Sequence, residues 1–73
     1  MKNKLRYYRT LAGLMCKDIC SYAGISYSTY FLYESGSRIP KVDTALNIVD
    51  RINQDLININ NYGTISVKDI WGE

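Results

Sequence analysis

MCKDICSYAGISYSTYFLYESGSRIP, residues 15–40, holds two short helical patterns around one glycine. Ile19, Cys20 and Ala23 repeat at helical spacing and predict an inner face for a helix over Cys16–Ala23. Gly24 supplies the backbone freedom that a tight turn needs. Ile25 is placed to plug a core, and Ser26 is a good N-cap for a third helix over 27–34. By helical phase Tyr30 and Tyr33 of that helix face inward, whereas Tyr27 and Phe31 face outward. Ser35-Gly36-Ser37 ends it. The predicted core unit, residues 15–36, is therefore helix, tight turn, helix.

Working outward, Asn3 is placed to cap a first helix that runs to about Ala12, with Leu5, Tyr8 and Leu11 at helical spacing and Gly13 closing it. Pro40 fixes the connection to a fourth helix over 42–53, whose expected inward residues are Ala45, Leu46, Val49 and Ile52. Ser66-Val-Lys-Asp69 matches a capping box and opens a last short helix, Val67–Trp71. Five helices and an all-α class follow. Between the last two lies QDLININNYGT, residues 54–64, where Leu56, Ile57 and Ile59 sit among asparagines and Ile57-Asn-Ile-Asn alternates with period two. This segment reads as a loop in preference to a short pairing strand, with room for one further turn of the fourth helix first.

Residues 1–73 make one domain, with no room for a second core. So small a domain buries only about 60% of its unfolded-chain surface and is marginal unless it packs well or oligomerises. No apolar run approaches the roughly 18 residues needed to span a bilayer, so a soluble, cytoplasmic protein is expected. Nine Lys/Arg against seven Asp/Glu give a net charge of +2, which permits nucleic-acid binding without demanding it. The sequence has no His, no nucleophile elbow, no phosphate-binding glycine loop and no acidic cluster, so it lacks an enzyme's acid–base and nucleophilic groups. Cys16 and Cys20, one helical turn apart, supply only half a tetrahedral zinc shell and are expected to pack as small apolar residues. No metal or cofactor is expected.

The pattern Gly24-Ile25-Ser26, Tyr33-Glu34-Ser35-Gly36, Arg38-Ile39-Pro40 and the closing Ser66–Trp71 resembles the Cro/C1-type (xenobiotic-response-element) helix-turn-helix family. The resemblance covers residues 5–52 and 65–71. It implies a five-helix, lambda-repressor-like DNA-binding domain with an insertion at 54–64, bound to double-stranded DNA as a homodimer on a two-fold site. In that family an arginine of the first helix pairs with a glutamate ending the recognition helix. The matching positions are Arg9 and Glu34, where a bidentate contact would pin the third helix against the first. The family's base-reading positions fall on Tyr27, Ser28, Thr29 and Leu32. Its phosphate-contacting positions fall on Cys16, Lys17, Ser37, Arg38 and Lys41, with Arg6 adding to the basic rim. Occupancy of an operator by a phage or mobile-element repressor is the function the resemblance implies.

Besides the insertion at 54–64, two features set this chain apart from that pattern. Met15-Cys16 stands where the family has Thr-Gln, which removes an N-cap and a polar phosphate contact. The recognition helix has no Lys, Arg, Asn or Gln, the side chains that make bidentate contacts to bases. With seven Tyr and one Phe in the chain, an alternative follows. The fold would be kept, but an apolar surface of Met15, Tyr27, Phe31 and Leu32 would bind a regulator protein, as an antirepressor or modulator does.

Overall fold

The computed structural model describes residues 3–60 and 63–72, with the side chains of 59 and 60 excepted. Those residues form five helices, α1 (Leu5–Leu11), α2 (Cys16–Ala23), α3 (Tyr27–Ser35), α4 (Val42–Asn60) and α5 (Val67–Trp71), and no strand. Asn3 starts the chain of capping contacts. Its Oδ1 accepts from the Leu5 N–H at 2.9 Å, and its Nδ2 donates to the Tyr33 carbonyl at 2.8 Å. The N-cap residue of α1 is Lys4, not the expected Asn3, but the Asn3 side chain closes onto the first turn from one position earlier and ties α1 to the end of α3.

The two glycines that bound α3 sit where only a left-handed backbone closes the turn. Gly24 has φ 69° and ends α2; Gly36 has φ 84° and ends α3. Ser26 caps α3 through its Oγ, which accepts from the Thr29 N–H at 3.1 Å. At the far end of the chain Asp69 accepts from both the Ser66 N–H (2.7 Å) and the Ser66 hydroxyl (3.2 Å), fixing the start of α5.

Leu5 and Tyr8 from α1, Ile19 and Cys20 from α2, Tyr30 and Tyr33 from α3, Ile48, Val49, Ile52 and Leu56 from α4, and Ile70 from α5 meet in one core. Ile25 packs against its edge, and Cys16 does so half-buried; Cys16 and Cys20 are both free thiols. Burial pushes the Cys20 thiol up from its ordinary value.

α4 departs from the sequence expectation in two ways. It does not stop at residue 53: residues 54–60 continue the helix, so most of the segment read as a loop is helical. Leu56 supplies the reason. It lies four residues after Ile52 and is fully buried, so the apolar stripe Ala45, Val49, Ile52, Leu56 runs unbroken past residue 53. Burying that stripe outweighs the modest helix propensity of the asparagines. The rest of the 54–64 expectation touches residues 61 and 62 and the Ile59 side chain, which lie outside the described residues.

Leu46 is the second correction. It was expected inward and is exposed, because Ile48 takes the inner position and Leu46 falls about 100° round the helix from Ala45.

Candidate nucleic-acid interface

The site is built on α3, and α3 is held by one acidic residue. Glu34 Oε2 accepts from Arg9 Nε at 2.8 Å and from the Tyr30 hydroxyl at 2.9 Å. The side chains of Arg9 and Glu34 are only 16% and 13% exposed. The contact is not the expected fork. Arg9 donates from Nε to the carboxylate and uses Nη1 on the Leu14 carbonyl at 3.0 Å, so one guanidinium braces α1, the α1–α2 turn and α3 together. Tyr30 is fully buried, and burial, then the neighbouring Glu34 charge, drives its phenol well above the ordinary tyrosine range. The Arg9 guanidinium is likewise held above its ordinary value: desolvation opposes the shift, but the Glu34 carboxylate prevails.

Tyr30 and Tyr33 point into the core, which leaves the opposite face of α3 outward, with Glu34 on its flank. Tyr27, Ser28, Phe31 and Ser35 are exposed and Leu32 is half-buried, at the spacing of one continuous face. Tyr27 and Phe31 are 60% and 55% exposed. Thr29 differs from the other three positions matched to base reading in that its Oγ1 accepts from the Ser26 hydroxyl at 2.9 Å, which draws it into the N-cap.

After α3 the chain folds straight back. The N–H groups of Ser37 and Arg38 both donate to the Leu32 carbonyl, at 3.0 and 3.2 Å, which sets Arg38 beside the recognition helix. Ser37 Oγ lies 3.0 Å from Ser35 Oγ. Lys41 follows at the start of α4, where its carbonyl accepts from the Ala45 N–H. Lys17, Arg38 and Lys41 are exposed. The ion pairs of the described residues, Arg9–Glu34 and Arg51–Asp55, leave these three cations free.

The α2 start is closed differently from the resemblance. Met15 has no oxygen with which to cap, and its own N–H donates to Asp18 Oδ2 at 2.9 Å. The Asp18 carboxylate therefore lies against the positive end of the helix, where a phosphate would otherwise benefit from the dipole. Cys16 is half-buried against the core, and Lys17 beside it is exposed. Asp18 was visible in the sequence, three residues after Met15, as the acidic half of a capping box whose other half is missing.

An uncharacterized HTH-type transcriptional regulator of Methanocaldococcus jannaschii is 40% identical to this chain over 48 residues, which span 66% of this chain and 73% of that protein. The chain belongs to the HTH-type transcriptional regulators. No family model matches the chain, and no solved structure matches it. Membership of this family agrees with the helix–turn–helix of α2, Gly24 and α3, and with a described chain in which no helix is long and apolar enough to cross a membrane.

Proposed function

We propose that this regulator is a sequence-specific, Cro/C1-type DNA-binding protein that acts in the cytoplasm as a repressor by occupying an operator. A single observation carries the reading. The outward face of α3 carries Tyr27, Ser28 and Leu32, the exposed Arg38 folds back onto the Leu32 carbonyl, the exposed Lys41 follows at the start of α4, and the Arg9–Glu34 pair anchors the flank of the helix. A helix of this length fits the major groove, and flanking cations fix it on the phosphates. Tyr27, Ser28 and Leu32 reach base edges, with Thr29 acting chiefly through the cap. Lys17, Ser37, Arg38, Lys41 and the Cys16 N–H reach phosphates. The protein binds as a homodimer, because two half-sites double a contact area that one small domain cannot supply alone. Phage or mobile-element origin goes with the Cro/C1-type reading.

A reporter driven by the DNA upstream of the protein's own gene tests this. Expression of the protein lowers reporter output, and Arg38→Ala with Lys41→Ala restores it. An unchanged reporter on both counts would speak against operator occupancy.

The exposure of Met15, Tyr27 and Phe31 favours a second reading, in which the same fold binds a regulator protein. In that case Phe31→Ser abolishes partner capture, while the helical circular-dichroism signal and any DNA affinity stay unchanged.

A further inference from the structure

The recognition helix of this protein has little with which to read a base by hydrogen bonding. Its sequence contains none of the Lys, Arg, Asn or Gln side chains that fork onto guanine or adenine. Two of its hydroxyls are already engaged: Ser26 and Thr29 bond each other within the N-cap. Ser35, a turn and more further along, donates to the Leu32 carbonyl at 3.2 Å. The outward polar groups that remain toward the start of the helix are the hydroxyls of Ser28 and Tyr27. A lone hydroxyl donates or accepts as required, so it fits several base edges and separates none of them well.

What the outward face offers instead is apolar. The Tyr27 ring is 60% exposed at one edge of the outward arc, half-buried Leu32 lies about 140° round the helix at its other edge, and exposed Phe31 falls between them. The major-groove edges of the four base pairs carry one apolar group, the C5-methyl of thymine, which also distinguishes T·A from A·T by its position. We infer that this regulator reads its operator through thymine methyl groups, covered by Leu32 and the Tyr27 ring, and not through forked hydrogen bonds to purines. The inference rests on the operator reading above and names the DNA feature that such a site recognises.

The test varies the DNA first and the protein second. A duplex is first enriched by the full chain from a randomised double-stranded library, then resynthesised with deoxyuridine at each thymine in turn, which removes the methyl and keeps the pairing. Affinity is expected to fall about fourfold at each contacted thymine, the loss that goes with uncovering one carbon group. The slope of log affinity against log salt stays the same, because no phosphate contact changes. Replacing such a T·A pair by C·G weakens binding, and 5-methylcytosine at that position recovers part of the loss, because the methyl returns to nearly the same place. In Leu32→Ser the uridine penalty disappears at one thymine per half-site.

Uridine duplexes that bind as tightly as their thymine parents overturn the inference and leave the operator reading standing. A library from which no sequence is enriched overturns both.

Discussion

The Asn53 carboxamide makes both backbone hydrogen bonds of Ile65. Its Oδ1 accepts from the Ile65 N–H at 2.8 Å and its Nδ2 donates to the Ile65 carbonyl at 3.0 Å. A side chain on α4 thereby behaves like a strand partner for one residue of the connection to α5. Ile65 is buried, so its polar backbone groups would otherwise be desolvated with no partner. This amide fixes the connection that leads to α5, whose own docking rests also on buried Ile70 and on the Lys4 N–H, which donates to the Ile70 carbonyl at 3.2 Å.

Asn53→Ala should therefore destabilise the domain by about 1–3 kcal/mol, the cost of leaving buried backbone groups unsatisfied. Hydrogen exchange at the Ile65 amide should accelerate more than exchange in α2 or α3. Equal acceleration everywhere would mean that the contact is not a local one.

The Arg9–Glu34 contact makes a sharper demand. Glu34→Ala strands a largely buried guanidinium and removes the acceptor of the buried Tyr30 hydroxyl, a loss of about 3 kcal/mol on the scale of broken buried pairs. A domain this small has a total stability of only about 5 kcal/mol. Replacing both partners, as Arg9→Met with Glu34→Leu, should restore part of the loss, which denaturant titration of the three variants measures.

Gly24 separates backbone strain from steric fit. A Cβ there would meet nothing within 4 Å, yet φ is +69°. Gly24→Ala should cost about 1–2 kcal/mol from left-handed backbone alone, and Gly24→Asn should cost less. For a domain of this size, 1 kcal/mol lowers Tm by about 4–8 °C.

Tyr30 gives the pH dependence a definite sign. Its folded pKa is raised, by burial first and by Glu34 second, so the folded state holds the phenolic proton more tightly than the unfolded chain does. That contribution is complete below the ordinary tyrosine pKa of about 10 and is lost as pH rises above it, by up to about 1.4 kcal/mol per pH unit. The stability difference between wild type and Tyr30→Phe should be flat from pH 7 to 9 and should narrow above pH 10. A difference that widens there would contradict the burial of the phenol.

Much of this was legible in the residues because it depends on local chemistry. Gly24, Ser26 and Gly36 announce turn and cap by what their backbones and side chains do best, and Arg9 and Glu34 meet across 25 positions because helix phase brings them to one side. α4 was less legible. Asparagine and the Ile57-Asn-Ile-Asn alternation argue locally against helix, and only the burial of Leu56 in line with Ile52 decides for it. Leu46 misled for a related reason: a large apolar residue at the margin of the inner arc looks like core until Ile48 is seen to fill that place. The role of Thr29 in the cap depended on a side-chain choice between base edge and Ser26 that composition does not reveal.

The phosphate positions call for their own test. Arg38→Ala and Lys41→Ala should each weaken binding alike on every duplex and lower the salt slope by about 0.9. Leu32→Ser should instead change the ranking among duplexes and leave the slope intact.

The most direct measurement is fluorescence-anisotropy titration of the protein with a duplex from its gene's upstream region and with a scrambled duplex of equal composition, over a salt series. A regulator that reads its operator binds the upstream duplex more tightly, with log affinity falling linearly in log salt. Equal affinity for both duplexes, or no binding even at low salt, would contradict that reading.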